Sequence, residues 1–160
     1  MTIKVGDKLP NGTLYEMGAD GPLPISVADM TRGKSIVFFG LPGAFTPTCS
    51  ALHVPGYVAL AEQILAQGID QIACVSVNDA FVMGAWGKDQ KVGDKVHMLG
   101  DGSGSWTKAM GLEFDLVDKG LGMRCQRFSM LVDDGVVKTL DIEAPGKFEV
   151  SDAQSMLNRL

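Results

Sequence analysis

The sequence predicts an α/β fold with a central mixed sheet and helices on both faces. Short apolar runs typical of buried strands alternate with segments of helical periodicity, which is the pattern of a sheet covered by helices. A strand–turn–strand pattern and one last helix then close the chain. We expect all 160 residues to form one domain, which is long enough to bury about two-thirds of its unfolded surface.

The first clear strand is Ser35–Phe39, where four apolar residues stand in sequence. The glycines and proline at 40–43 end it. Thr46 then predicts the N-cap of a helix, and Pro47 suits the first helical position. This start places Cys49 within the first helical turn.

The helix that carries Cys49 is expected to continue, to bend at Pro55 and to end at Gly68. A bend is expected because proline removes one intrahelical hydrogen bond. The apolar face of this helix has the spacing i, i+3, i+4, i+7, i+8 and comprises Tyr57, Leu60, Ala61, Ile64 and Leu65.

Further strands and helices follow in alternation. Gln71–Val77 is predicted as a strand, and Asn78-Asp79 as the cap of a helix over Ala80–Lys88. Val96–Leu99 is predicted as the next strand. Ser105–Met110 is predicted as a short helix that ends at the glycine after it.

The C-terminal part predicts a hairpin and a last helix. Gln126–Asp133 and Val136–Ile142 are joined by Asp134-Gly135, which is a strong two-residue hairpin turn. Ser151 is expected to cap a helix that runs through Leu157. The inner side of that helix is predicted to carry Ala153, Met156, Leu157 and Leu160.

Composition and charge exclude several classes of protein. A formal net charge of -5 argues against nucleic acid or an anionic membrane as a partner. No apolar run approaches the about eighteen residues of a membrane span, and residues 1–7 resemble neither a signal peptide nor a transit segment. Three cysteines without a Cys-x-x-Cys pair do not match a secreted disulfide framework. We therefore expect a cytoplasmic protein.

Cys49 is the strongest candidate for a reactive side chain. Free N–H groups and the helix dipole favour a negative charge at a helix start, and the thiolate is the nucleophilic form of cysteine. The pattern therefore predicts a nucleophilic cysteine, with a buried structural thiol as the alternative.

The two histidines could have catalytic or structural roles. His53 comes four residues after Cys49, so both side chains could share one helical face and form a Cys–His catalytic pair. A histidine bonded to the backbone, or lying behind the site, is the favoured alternative. His97 has no partner in the sequence and is expected to be structural. Neither clustered metal-ligand spacing nor a Gly-rich phosphate loop is present, so no bound metal or cofactor is expected.

Pro42, Thr46 and Cys49 form a Pro-x-x-x-Thr-x-x-Cys pattern. This pattern resembles the active-site signature of the peroxiredoxins, which are thiol-dependent peroxide reductases. Three further segments occur in the matching order and are similar to the subgroup of animal peroxiredoxin-five and the plant and bacterial type II enzymes. They are His53–Tyr57, Ser76–Val82 and Arg127–Met130. The resemblance covers essentially the whole chain and implies a thioredoxin-like fold and an antioxidant peroxidase.

The resemblance implies a role for each site residue. Cys49 would attack the peroxide, Thr46 would orient it, Pro42 would shield the thiolate from water, and Arg127 would be the cation beside the sulfur. Arg124 is a weaker second candidate for that cation. Without the resemblance, Thr46 could be only a helix cap, Pro42 only a loop breaker, and Arg127 a solvated residue on a strand.

Attack on a peroxide would leave Cys49 as a sulfenic acid, which must be reduced again. Animal members of the subgroup carry a resolving cysteine near the segment that is Phe148–Ser151 here, but this chain has no cysteine after Cys125. Plant relatives place a cysteine at the position of Cys74, which keeps that residue as a possible resolving cysteine against a buried apolar role. Cys125 could approach the site if it already lay in the strand, because alternation would put it on the face of Arg127. An exposed or half-buried thiol without a role in the site is the favoured alternative for Cys125.

The favoured expectation is a one-cysteine cycle in which glutathione attacks the sulfenic acid and a glutaredoxin removes the mixed disulfide. Thioredoxin is the other candidate donor. The resemblance also implies hydrogen peroxide and alkyl hydroperoxides as substrates, and a homodimer. Two alternatives stay open: a cysteine enzyme that acts on an acyl substrate, and a redox sensor or chaperone-like protein.

Overall fold

The computed structural model describes residues 1–160, and a seven-stranded mixed sheet forms its centre. In chain order the strands are β1 (Thr13–Gly18), β2 (Gly21–Ser26), β3 (Ser35–Gly40), β4 (Gln71–Ser76), β5 (His97–Gly100), β6 (Glu113–Leu116), β7 (Gly122–Cys125), β8 (Phe128–Asp133) and β9 (Val136–Ile142). The sheet order is β2-β1-β5-β4-β3-β8-β9, and β6 pairs with β7 separately. Strands β3, β4 and β5 are parallel, whereas the other pairings are antiparallel.

Helices cover both faces of the sheet. They are α1 (Val27–Thr31), α2 (Val54–Leu65), α3 (Ala80–Asp89), α4 (Ser105–Met110) and α5 (Ala153–Asn158), with a short 3-10 turn at Val117–Lys119. Side chains of α2, α3 and α5 form the apolar core on one face, and side chains of α1 and α4 contribute to the core on the other. This arrangement confirms the predicted α/β thioredoxin-like class. None of the helices is both long enough and apolar enough to cross a bilayer.

The predicted elements agree with the observed ones to within about two residues. Strand β3 is a nearly continuous apolar run because both of its faces are buried. The predicted cap of α3 forms, since the Asp79 carboxylate accepts a hydrogen bond from the Val82 amide at 2.8 Å. The hairpin turn has positive φ at Asp134 (46°) and Gly135 (77°), as a type I′ turn requires.

The start of the cysteine-bearing helix differs from the prediction. Residues 47–48 are α-helical, Cys49–His53 form a π-helical turn, and α2 follows. The Val54 amide bonds back five residues to the Cys49 carbonyl, and Pro55 lies at the start of α2 without an N–H to donate. The structure therefore has a π-helical turn just before Pro55, where the sequence predicted a bend at that proline.

The predicted Ser151 cap is wrong, whereas Thr46 occupies the predicted N-cap position without a capping side-chain bond. The Thr46 carbonyl accepts the first helical bond, from the Ser50 amide, but the Thr46 hydroxyl donates to the Gly43 carbonyl and caps nothing. At the last helix, Asp152 is the cap and accepts from the Ser155 amide at 3.1 Å. Ser151 does not cap this helix because its amide and hydroxyl donate to the Glu143 carboxylate.

Candidate active site

The end of β3 directs the chain toward Cys49. Gly40 lies opposite Phe128 in the sheet, and a Cβ at Gly40 would stand 2.2 Å from the Phe128 ring, so only glycine fits. The chain then turns and begins its helix at Pro47. Cys49 follows on the inner side of this helix and is 0% exposed, among the core residues between the sheet and α2.

Hydrogen bonds fix the loop before the helix. The Asn78 side-chain oxygen accepts from the Ala44 amide at 3.0 Å and from the Ser76 hydroxyl at 2.7 Å. The Thr46 hydroxyl donates to the Gly43 carbonyl at 2.6 Å. Asn78 was expected only as part of a helix cap. Its contact with the loop connects β4 to the cysteine-bearing segment, and no local sequence pattern predicts it.

Arg124 supports the same loop. Its Nη1 donates to the Pro42 carbonyl at 3.2 Å, and its Nε donates to the Leu121 carbonyl at 2.8 Å. A Cβ at Gly43 would lie 2.6 Å from Arg124 Nη1, so a larger residue there would displace the end of the Arg124 side chain. Arg124 makes no hydrogen bond to Cys49. Its hydrogen bonds instead hold the loop before the helix in place.

Arg127 lies directly against the cysteine. Its Nη2 donates to Cys49 Sγ at 3.0 Å, and its Nη1 donates to His53 Nδ1 at 2.8 Å. The Phe148 ring covers the guanidinium, with 5.7 Å between Arg127 Cζ and the ring centroid. The guanidinium is permanently charged and planar, so these contacts hold one positive group at a defined angle to the sulfur.

His53 lies behind Arg127. Because His53 Nδ1 accepts from Arg127, the proton is assigned to Nε2, which donates to the Ser151 carbonyl at 3.0 Å. Burial, with the neighbouring guanidinium, lowers the pKa of His53 to about 3. Its ring packs among Phe39, Tyr57 and Phe148. Arg127 bonds both Cys49 and His53, where a catalytic Cys–His pair would need a direct hydrogen bond between the two. Both nitrogens of the neutral His53 imidazole already have hydrogen-bond partners.

The other two cysteines are fully buried thiols, and no disulfide is present. Cys74 lies in the middle of β4 and faces the same core as Cys49, where burial raises the pKa of its thiol well above the ordinary value. Cys125 ends β7 and belongs to the core on the opposite face of the sheet. Burial raises its pKa to about 12, and its thiol donates to the Gln126 carbonyl at 3.2 Å.

Cys125 does not share the face of Arg127, and its thiol is fully buried, so the expected exposed or half-buried position is wrong. Alternation would require one continuous strand through both residues, but β7 ends at Cys125 and β8 begins only at Phe128. Residues 126–127 are not in a strand, so period-two alternation does not extend from Cys125 to Arg127. Cys125 accordingly has no position from which to reach Cys49 in the folded chain.

A cavity of about 530 Å³ opens beside these residues. Its walls are the loop before the helix, the β6–β7 hairpin with its 3-10 turn, and the segment after β9. Residues that line it include Pro42, Thr46, Phe114, Leu121, Arg127 and Pro145. Cys49 lies behind this lining, in contact with Arg127. A small molecule in the cavity would therefore meet the guanidinium next to the sulfur.

No group of three or more histidine, cysteine, aspartate or glutamate side chains has the arrangement of a metal site. The second histidine, His97, pairs with Glu16 at 2.8 Å between β5 and β1, and that hydrogen bond raises its pKa. This pair connects two strands and lies outside the cysteine site.

Besides the Asn78 contact, three residues around Arg127 and His53 were not predicted as part of the site. Phe148, Ser151 and Glu143 come from the segment after β9, and they contact Arg127, His53 and one another. The segment was singled out only as the place where animal relatives carry a further cysteine. No spacing rule connects it to a residue about a hundred positions earlier.

Comparison with known proteins agrees with this geometry. A family model described as Redoxin matches residues 4–157. The chain is 51% identical to Peroxiredoxin-2E, chloroplastic, of Arabidopsis thaliana over 99% of this chain and 70% of that protein. It is 47% identical to Peroxiredoxin-2C of the same plant, over 99% and 98% of the two chains.

A solved structure gives the same result. The reduced Prx3 of Vibrio vulnificus in complex with H2O2 is 50% identical and superposes with a TM-score of 0.95, covering 99% of both chains. Sequence and structure therefore agree over nearly the whole length. The chain belongs to the Redoxin family as a type II peroxiredoxin, a thiol peroxidase that reduces peroxides.

Proposed function

We propose that Cys49 is the peroxidatic cysteine and that Arg127 holds it as a thiolate and orients the peroxide. The observation that carries this proposal is the 3.0 Å contact from Arg127 Nη2 to Cys49 Sγ. A buried thiolate is unfavourable without compensation, whereas a charge-assisted hydrogen bond from a guanidinium favours the ionised sulfur. Neither Cys74 nor Cys125 has a hydrogen bond from a positively charged side chain.

The reaction follows from this arrangement. The Cys49 thiolate attacks the terminal oxygen of the hydroperoxide, so that an S–O bond forms and the O–O bond breaks. The sulfur is oxidised to the sulfenic acid, and the departing oxygen leaves as an alkoxide or hydroxide that takes a proton to become an alcohol or water. Arg127 N–H groups stabilise the charge that develops on that oxygen. Because the Thr46 hydroxyl hydrogen is directed to Gly43, its oxygen lone pair accepts from the peroxide O–H.

Pro42 completes the proposed site as a cover over the thiolate. It lines the cavity beside Thr46 and Arg127, and Arg124 holds its carbonyl. A proline at this wall presents no N–H to water or substrate. Its ring would restrict the water around the sulfur and slow further oxidation.

The proposed substrates are hydrogen peroxide and alkyl hydroperoxides. The solved structure of the Vibrio vulnificus relative is a complex with hydrogen peroxide. The cavity of about 530 Å³ is far larger than that molecule needs, and apolar side chains such as Phe114, Leu116 and Leu121 contribute to its wall. An alkyl group could occupy this space while its peroxide end meets Arg127.

Replacing Leu121 with glutamate tests the use of the cavity. Leu121 is 38% exposed, so the variant should fold, but the carboxylate would enter an apolar part of the wall. We expect KM for cumene hydroperoxide to rise by about tenfold, with little change for hydrogen peroxide. Steady-state kinetics with both peroxides measures the effect. The matched control is Leu23→Glu, at a 52% exposed leucine on β2, and equal effects in both variants would contradict the proposal.

The proposed recycling is a one-cysteine cycle. Glutathione attacks the Cys49 sulfenic acid, which forms a mixed disulfide and releases water. A glutaredoxin thiol then attacks the glutathione sulfur and restores the Cys49 thiolate, and a second glutathione completes glutathione disulfide. This route is supported by the burial of Cys74 and Cys125, because their protonated thiols are poor nucleophiles and one lies across the sheet.

Serine replacements of Cys74 and Cys125 test whether either thiol resolves the sulfenic acid. We expect each variant to keep kcat within about twofold of the starting protein in the glutathione assay, since the cycle uses neither thiol. The folded fraction should be measured beside the rate, because both side chains are core residues. A correctly folded variant that stops after one turnover would overturn the one-cysteine cycle.

The complete function is tested by steady-state peroxide consumption with glutathione, glutathione reductase and a glutaredoxin. Sustained turnover is expected with this donor system. A single turnover that resumes when thioredoxin and its reductase are added would instead identify thioredoxin as the donor. No consumption with any donor would contradict the proposed reaction at Cys49.

We also propose a cytoplasmic homodimer. Phe45 and Leu52, which flank Cys49 in the sequence, and Phe81 at the start of α3 are exposed apolar side chains, and such residues suit an interface. Three unpaired thiols suit a reducing compartment. A protein that sediments as a monomer at every concentration would contradict the dimer.

A further inference from the structure

The strongest unexplained feature near the site is the buried carboxylate of Glu143. This residue directly follows β9 and is 5% exposed. Its oxygens accept hydrogen bonds from the amides of Glu149, Val150 and Ser151 at 2.8–2.9 Å and from the Ser151 hydroxyl at 2.8 Å. Burial opposes ionisation of this carboxyl, but these donors hold its pKa below the ordinary value.

The segment held by Glu143 contacts the proposed catalytic groups. The Ser151 carbonyl accepts from His53 Nε2 at 3.0 Å and from the Tyr57 hydroxyl at 3.2 Å. The Phe148 ring lies 5.0 Å from the His53 ring and 5.7 Å from Arg127 Cζ, measured to its centroid. The anchored segment 148–151 therefore supplies both the acceptor behind His53 and the cover over Arg127.

Glu143 is also joined to Arg127 through the backbone. Its amide donates to the Arg127 carbonyl at 2.9 Å, next to the β8–β9 pairing. The arginine is thus held at two places, its carbonyl by the Glu143 amide and its side chain by His53 and Phe148. Residues 144–147, which lie between these contacts, are exposed and form no strand or helix. The hydrogen bonds of the Glu143 carboxylate to residues 149–151 therefore hold this part of the chain in the absence of regular secondary structure.

We propose that Glu143 is a positioning residue that sets the orientation of Arg127 toward Cys49 through the segment 148–151 and His53. This inference rests on the proposed roles of Cys49 and Arg127. Glu143 does not touch the sulfur. Its carboxylate fixes the Ser151 carbonyl, that carbonyl holds His53 as the Nε2–H form, and His53 Nδ1 then accepts the second N–H of the guanidinium.

Replacing Glu143 with glutamine removes the charge and offers an amide NH₂ where the segment needs acceptors. The unpaired N–H groups should loosen residues 148–151 and broaden the orientations of Arg127. In the full-length protein we expect kcat/KM for hydrogen peroxide to fall by about tenfold. The midpoint of the pH profile for Cys49 alkylation by iodoacetamide, followed by mass spectrometry, should rise because the thiolate loses a fixed cationic partner.

Asp101→Asn is the matched control. Asp101 is another buried carboxylate, 3% exposed, and accepts from the Trp106 amide and from the amide and hydroxyl of Thr107. These contacts hold the start of α4, which contributes to the core on the opposite face of the sheet. We expect both substitutions to lower Tm, but only Glu143→Gln to move the alkylation midpoint.

The outcomes separate this inference from the proposed function. If Glu143→Gln leaves the midpoint and kcat/KM unchanged, or if Asp101→Asn shifts them equally, the positioning role is wrong while Cys49 can remain the nucleophile. If Glu143→Gln does not fold, Ser151→Ala removes only the hydroxyl bond, and it should give a smaller shift in the same direction. An unchanged midpoint in that variant would likewise overturn the inference.

Discussion

Replacing Cys49 with serine is expected to abolish peroxide reduction, with kcat/KM falling by at least about a thousandfold. A serine hydroxyl is not ionised at neutral pH, so it offers no anionic nucleophile and no sulfenic acid can form. Serine also keeps nearly the volume of cysteine in this fully buried position, which limits the change in packing. Steady-state peroxide consumption measures the loss.

The control for this substitution is Cys74→Ser, since Cys74 is an equally buried thiol in the same core. It should retain turnover. A Cys49→Ser protein that is folded and still consumes peroxide at a comparable rate would show that another residue is the nucleophile.

Replacing Arg127 with glutamine is expected to lower kcat/KM by about a hundredfold or more. The variant loses the charged N–H that bonds Cys49 Sγ and the donors placed for the departing oxygen. Lysine should recover only part of the activity, because an ammonium is a point charge that does not reproduce the two-sided contact to Cys49 and His53. Stopped-flow measurement of the oxidation step separates this effect from recycling.

Arg124→Gln is the matched control for charge. Arg124 lies beside the same cavity wall but donates to two backbone carbonyls. We expect a smaller loss, of about tenfold at most, from a loosened loop. If the Arg124 variant loses as much oxidation rate as the Arg127 variant, the general positive charge matters and the specific contact to the sulfur does not.

Strands β3, β4, β5, β8 and β9 of the central sheet were predictable because their signals are local. Buried strands such as β3 and β4 are short apolar runs, and the β8–β9 turn is an Asp-Gly pair. The β1–β2 hairpin was missed. Strand β2 contains Pro22 and Pro24, which suppress a strand signal but are tolerated at the edge of the sheet, where β2 lies.

The site was predictable only where its residues are near in sequence or match a family. Pro42, Thr46 and Cys49 stand within eight positions. Arg127 comes 78 positions after Cys49, and only the resemblance pointed to it, because strand periodicity alone would place it outward. The bonds of Glu143 to residues 149–151 depend on how the segment after β9 folds back, and composition carries no signal for that.

The position of Cys125 does not follow from strand alternation. Period-two alternation holds within one strand, but the chain leaves β7 before it enters β8. A break of two residues moved the thiol to the opposite core. The missing N–H of Pro55 predicted an irregular helix at about the right place. It does not specify that the irregularity is a π-helical turn.

Identification of the first oxidised atom tests the central claim most directly. The reduced protein should be treated with less than one equivalent of hydrogen peroxide in the presence of dimedone, which captures sulfenic acids, and then mapped by mass spectrometry. The account predicts one dimedone adduct, on Cys49, and no disulfide among the three cysteines. An adduct on Cys74 or Cys125, or a disulfide that joins either to Cys49, would contradict it.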